Sequence, residues 1–305
     1  MPRFKNRNTR YRTSRVSKRS SRRKSYGRKK TKRTYRPKMT KKRILNTTSR
    51  KKRNTMLNYS NTNDTGGAVV GFRQSPAYTN NSAGMFVFIP TAQPLVNDST
   101  VADIPSRTAT TCYMRGFSER LRIQTSSGCP WFHRRICFTL KGNNVFNTIS
   151  PLDTTPVRDF APYIETSNGM QRAWQNVYLN NMSNSFTAMY ALLFKGALNV
   201  DWADPVVAPV DTSRVSLKFD KTWTLHSGNA SGIVKERKLW HPMNKNLRYG
   251  EDENGKDETS SLLSTSSRQG MGDYYIVDLL FPGQGASATD VISISSVSSL
   301  YWHEK

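Results

Sequence analysis

Twenty-five of the chain's 47 lysines and arginines fall within the first 53 residues, and the first acidic residue is Asp64. A segment of that composition cannot bury enough apolar area to offset its ordering entropy, so it cannot contribute to a core. Any fold the 305-residue chain adopts must be built from the remainder. Residues 54–305 hold 22 basic and 21 acidic residues, a net charge near +1 against +26 for the whole chain. A near-neutral body thus carries a polycationic arm, and such an arm meets polyanions.

Read as residues 1–53, the arm is mostly Arg, Lys, Ser and Thr and is expected to stay disordered until bound. Its cations are the candidate nucleic-acid-binding residues: Arg3, Lys5, Arg7, Arg10, Arg12, Arg15, Lys18, Arg19, Arg22, Arg23, Lys24, Arg28, Lys29, Lys30, Lys32, Arg33, Arg36, Lys38, Lys41, Lys42, Arg43, Arg50, Lys51, Lys52 and Arg53. Each phosphate they neutralise releases a counterion, so binding is expected to be strong, indifferent to sequence and steeply salt-dependent. Phe4, Tyr11, Tyr26 and Tyr35 add a thin capacity for stacking on unpaired bases. An anionic membrane would need a Leu, Phe or Trp face that the arm lacks, so no membrane partner is expected. Three dense clusters are nuclear-import candidates: Arg28, Lys29, Lys30, Lys32 and Arg33; then Lys41, Lys42 and Arg43; then Arg50, Lys51, Lys52 and Arg53.

Without the arm, about 250 residues remain, enough for one large β domain with long loops or for two small domains. Cys112, Cys129 and Cys137 are too few and odd in number for a secreted disulfide framework. A reducing intracellular setting is expected. No signal-type leader is evident, and no apolar run reaches the roughly 18–20 residues that span a bilayer.

Period-two alternation dominates the body. Val215, Leu217, Phe219, Trp223 and Leu225 share one face, interrupted by Lys221, while Ser216, Lys218, Asp220, Thr222, Thr224 and His226 share the other. Met85 to Ile89 is a short apolar strand stopped by Pro90. Leu121, Ile123 and Thr125 alternate with Arg120, Arg122 and Gln124. Phe132, Ile136, Phe138 and Leu140 follow with Arg134 out of pattern, and Tyr274 to Phe281 is apolar apart from Asp278. Ile292 and Ile294 alternate with serines. Only Phe186, Met189, Tyr190 and Leu193 have helical spacing, with Ser185 placed to cap the start and Gly196 to end the helix. The body is expected to be all-β, a two-sheet antiparallel sandwich or jelly roll with one short helix and long polar loops.

Chemistry is hard to find. The run from Gly250 to Asp257 nearly matches a phosphate-binding loop, but Asp257 stands where the magnesium-ligating hydroxyl belongs, and Glu251, Asp252 and Glu253 would repel phosphates. It also lacks the ligand order of a calcium loop and is expected to be a solvated acidic turn. Cys129, His133 and Cys137 share a parity, but on a strand each lies about 13 Å from the next, too far to share one zinc. No metal, no cofactor and no catalytic residues are expected, and the chain reads as a non-enzyme. Arg134, Arg135, Lys218 and Lys221 could face a polyanion or form ion pairs, with Arg134 and Arg135 on opposite faces.

Several blocks in fixed order carry a resemblance. Trp131 to Phe138 reads Trp-Phe-His-Arg-Arg-Ile-Cys-Phe, Leu192 to Gly196 reads Leu-Leu-Phe-Lys-Gly, and Val200-Asp201-Trp202 and Pro209 to Thr212 follow. Leu239 to Leu247 opens Leu-Trp-His-Pro-Met, and Gly270 to Tyr275 precedes the ending Leu300 to Lys305. From about residue 41 onward the chain resembles the genomovirus capsid proteins, of small circular single-stranded DNA viruses related to geminiviruses. Phe132-His133 departs from the residues usual there. The resemblance implies a jelly-roll capsid subunit, a T=1 icosahedral shell of about 60 copies, circular single-stranded DNA as cargo, and localisation to the virion and, during assembly, the host nucleus, with nuclear-import receptors as further partners. The rival reading is a cellular nucleic-acid-binding protein, associated with chromatin or ribosomes, that carries a basic tail.

Overall fold

The computed structural model describes residues 39–95, 103–142, 144–156 and 160–304. The chain divides into two compact units, 1–44 and 45–305. Helix α1 (Lys41–Thr48) opens the described part. The strands that follow are β1 (Arg50–Met56), β2 (Asn58–Thr62), β3 (Ala68–Arg73), β4 (Ala77–Thr79), β5 (Gly84–Phe88), β6 (Thr111–Thr125), β7 (Trp131–Leu140), β8 (Ile164–Thr166) and β9 (Gly169–Asn176). Helix α2 (Ser183–Leu193) precedes β10 (Ser216–Leu225), β11 (Val234–Arg248), β12 (Asp252–Asn254), β13 (Asp257–Thr259), β14 (Asp273–Pro282) and β15 (Ile292–Glu304).

The body is mostly β, as its alternation implies, and its long strands form two sheets. One runs β1-β15-β6-β11, with β4 also paired to β15. The other runs β10-β7-β14-β5-β9-β2-β3, with β8 on β9. Only the β2–β9 pair is parallel among these; β12 and β13 make a separate hairpin.

Pleating decides which side chains enter the space between the sheets. In β6, Cys112, Met114, Phe117, Leu121 and Ile123 are buried, whereas Arg115, Arg120 and Arg122 are exposed. Phe117 meets Phe88 of β5 across the gap, ring centroids 5.9 Å apart. The second sheet is covered on its other side too. There Phe138 of β7 stacks on Tyr275 of β14 at 5.1 Å and meets Phe146 edge-on at 5.2 Å. Burial on both faces is why β14 reads as a nearly unbroken apolar run.

Two helix expectations need correction. First, α2 buries Met189, Tyr190 and Leu193 as the spacing predicts, but Ser185 lies inside its first turn rather than at the cap. Asp153, from a distant loop, supplies the capping oxygens. Its carboxylate accepts the Asn184 and Ser185 backbone N–H groups (3.0 and 2.8 Å) and the Ser185 hydroxyl (2.6 Å). At the other end the helix stops at Leu193, and Phe194 is already extended. Gly196 makes the next turn, at φ +82°, where Asp201 occupies the space of any Cβ. Second, α2 is not the only helix. Residues 41–48, expected to be disordered, are helical, with Thr40 Oγ accepting the Arg43 N–H (3.3 Å).

Candidate nucleic-acid interface

Eighteen of the 25 candidate cations, Arg3 through Lys38, lie outside the described residues, as does the expected disorder of that stretch. Lys41, Lys42 and Arg43 sit in α1, and Arg43 is exposed. Arg50 to Arg53 depart from the expected arm, because they begin β1 and pair in register with β15, Arg50 opposite Glu304 and Arg53 opposite Tyr301. The ordered body therefore starts at Arg50 at the latest, not at residue 54.

Alternation along β1 sends these four cations to different fates. Arg50, Lys51 and Arg53 are exposed, while Lys52 turns inward with Asn54 and Met56. The Lys52 ammonium lies 3.0 Å from Glu304 Oε2 and donates to the Ser106 carbonyl (2.6 Å) and to Thr108 Oγ1 (3.2 Å). Glu304 also accepts the Trp302 indole N–H (2.7 Å) and the Thr108 hydroxyl (2.7 Å). Burial opposes ionisation of Glu304, but these donors and Lys52 hold its carboxyl below the usual range. Lys52 is thus committed to a buried ion pair and is corrected out of the nucleic-acid-binding set. The Arg50–Arg53 cluster is likewise not four free cations that an import receptor could read as extended chain.

The body's central arginines are also spent internally. Arg135 of β7 clamps Asp278 of β14 with Nε (2.7 Å) and Nη2 (2.9 Å) and bonds Glu119 of β6 across the sandwich. Arg172 of β9 bridges the same two carboxylates at 2.8 and 3.0 Å. All four side chains are fully buried, and their charges cancel. Burial alone would raise the Glu119 carboxyl, but Arg135 and Arg172 pull it down to about 2. Asp278 is held far below its usual range against burial by Arg135 and by the His133 bond. Burial disfavours protonation of His133. The neutral ring donates Nε2–H to Asp278 (2.8 Å) and accepts at Nδ1 from Arg237 (2.6 Å). His241, pushed down to about 4 by burial and Arg135, lies beside Cys137.

Arg134 points to the opposite side, as parity requires. It forks onto Asp220 of β10 (2.9 and 2.7 Å) and donates to the carbonyls of Pro205 and Ala208. Neither Arg134 nor Arg135 is available to a polyanion. Lys218 and Lys221 of β10 are exposed. The acidic run is only partly a solvated turn. β12 and β13 form an exposed hairpin, but Glu251 is buried against Arg107.

What the sequence reading did not assemble is the outer face of the β1-β15-β6-β11 sheet. Its rows follow from register. Lys51 lies beside His303 and then Tyr113; Arg53 beside Tyr301, Gly116 and Pro242. Further along, Ser299, Ser118 and Trp240 form a row, then Val297, Arg120 and Lys238, then Ser295, Arg122 and Glu236. The Trp240 ring lies over Gly116, where a Cβ would come within 2.7 Å of it. The alternation of Arg120 and Arg122 with Leu121 and Ile123 was a legible sign of this face. Which cations on other strands stand beside them depended on pairing. No protein-family model matches the chain, and a search of curated proteins finds no match.

Proposed function

We propose that this chain is the capsid subunit of a small single-stranded DNA virus of the genomovirus type. In this reading its basic arm neutralises packaged DNA while its near-neutral body tiles an icosahedral shell. The observation that carries the proposal is the charge partition: 21 basic residues precede Arg50 without one acidic residue, ahead of a body that sets 26 basic against 21 acidic residues. A neutral body packs against its own copies without strong mutual repulsion, and a polycationic arm condenses a polyanion. Strand order favours the jelly roll among two-sheet folds. Setting aside β9, β2 and β3 at the far end of the second sheet and numbering β1, β5, β6, β7, β10, β11, β14 and β15 from 1 to 8, the first sheet reads 1-8-3-6 and the remaining four strands of the second read 5-4-7-2, the order that two interleaved Greek keys produce. With about 60 subunits, arms of this charge would neutralise on the order of 1,300 phosphates, which sets the expected cargo length. Import clusters narrow to Arg28–Arg33 and Lys41–Arg43.

Negative-stain microscopy of the purified protein tests this directly. Round particles of one size that retain nuclease-protected DNA are expected. A monomer or small oligomer at assembly concentrations would overturn the shell and favour a cellular nucleic-acid-binding protein. Deleting residues 2–40, which spares α1 and β1, should leave a folded body that loses most of its DNA; retention of the wild-type amount by that variant would refute the role of the arm.

A further inference from the structure

The outer face of the β1-β15-β6-β11 sheet is chemically unlike an ordinary solvated sheet face. Three carboxylates lie on its strands, and two of them, Glu119 and Glu304, turn inward to ion pairs. Glu236 alone stays outside with the exposed cations Lys51, Arg53, Arg115, Arg120, Arg122 and Lys238. Among the described residues no carboxylate lies within 4.0 Å of any of these six cationic groups. A surface that keeps its cations together and sends its acids inward raises a positive potential and accepts its self-repulsion. The depressed proton affinity of His303, caused by burial and then by Arg115 and Lys51, reports the same field.

Aromatic rings lie between the two groups of cations. Trp240 is 50% exposed, with its ring centroid 5.8 Å from that of Tyr301. Tyr113 and His303 form a second pair at 6.0 Å. One group, Lys51, Arg53 and Arg115, lies beside the Tyr113 and His303 row; the other, Arg120, Arg122 and Lys238, lies beyond Trp240. The Trp240 ring covers Gly116 and still leaves half of the residue's surface exposed. Cations for phosphates flanking open aromatic rings for bases are the features that bind an unpaired strand. A duplex keeps its bases stacked internally and would use only the charges.

We propose that this face is a second binding surface for single-stranded DNA, separate from the arm, which seats bases on Trp240 and Tyr301 and phosphates on the two cation groups. The choice of DNA as the strand rests on the packaging reading above; the choice of this face does not.

The test uses the full chain. Photo-crosslinking to a 5-iodouracil-substituted oligo(dT), followed by peptide mass spectrometry, should give adducts at Tyr113, Trp240 or Tyr301 in addition to arm peptides. Adducts confined to residues 1–49 would overturn the second surface while leaving the packaging role intact. Absence of adducts anywhere would overturn both. Without any change to the charges, Trp240→Phe should remove at least half of the tryptophan quenching that oligo(dT) causes, since Trp131, Trp174, Trp202 and Trp302 are buried and the half-buried Trp223 lies on β10 in the other sheet. Undiminished quenching would count against the stacking site. The triple change Arg120→Gln, Arg122→Gln and Lys238→Gln should lower the log–log salt slope of binding by about 2, at roughly 0.7 per phosphate on single strands. An unchanged slope, or equal crosslinking of a duplex at these aromatics, would refute the proposal.

Discussion

Asp278 offers the sharpest perturbation of the body. Its carboxylate accepts from Arg135 twice, from Arg172 (3.0 Å) and from His133 (2.8 Å), all fully buried. Replacing it with Asn keeps the shape and removes one charge. Arg135 and Arg172 then face Glu119 alone, leaving a net buried positive charge between the sheets. Breaking one partner out of a buried ion pair costs about 3–5 kcal/mol. For a body of roughly 250 residues each kcal/mol shifts the melting point by about 2–4 °C, so Asp278→Asn should melt about 6–20 °C lower. Near-UV circular dichroism of unassembled subunits reads this directly. The double variant with Arg135→Met restores neutrality and should lose less than the two single changes summed. The pH dependence follows from sign. Glu119 and Asp278 have lowered folded pKa values, so their stabilisation is complete above the unfolded carboxylate range near pH 4 and fades as pH falls toward 2. Wild-type and Asp278→Asn melting curves should therefore converge in acid. A variant within about 2 °C of wild type at neutral pH, or strict additivity of the pair, would refute the idea that these charges are mutually dependent.

Three further outcomes are expected. His241 has its folded pKa depressed to about 4, so the folded state binds fewer protons than the unfolded state between pH 6.5 and 4 and stability falls over that window by about 3 kcal/mol; His241→Gln should flatten the slope in urea titrations. Lys52→Gln strands the buried Glu304 and should cost about 3 kcal/mol while leaving the salt slope of DNA binding unchanged, a split that a phosphate-contacting lysine would not give. Asp153→Ala removes the cap of α2 and should destabilise by about 1 kcal/mol in thermal melts.

Parity was legible in the sequence, and pairing was not. Half-burial of β10 and the solvated side of β6 follow from alternation that any reader of Leu121, Arg122 and Ile123 can see. The charged breaks in apolar runs, Arg134 and Asp278, were visible as anomalies. Their partners were not, since Arg135 finds Asp278 only because β7 and β14 are neighbours with those residues in register. Composition misled at Lys52. In a cluster of basic residues it looks like its neighbours, and only a glutamate some 250 residues later makes an inward-facing ammonium tolerable. The cap of α2 failed for a related reason: a local serine was the reasonable choice until Asp153 arrived from elsewhere in the chain. The outer basic face needed three separate strand pairings to bring Lys51, Arg122 and Lys238 onto one surface.

The pairing of β1 with β15 also sets a schedule. Among the described residues β1 has no other sheet partner, and its register joins Arg50 to Glu304 and Met56 to Ser298. At about 5–20 residues per second a ribosome needs on the order of 10–50 s to make the intervening chain. Through that interval β1 lacks its sheet partner, and β6 lacks the neighbour that will separate it from β1. The sheet closes late and over a long sequence separation, which makes its folding slow. The N-terminal cations are synthesised well before the first strand can join its sheet, so the arm leaves the ribosome while the body is still incomplete.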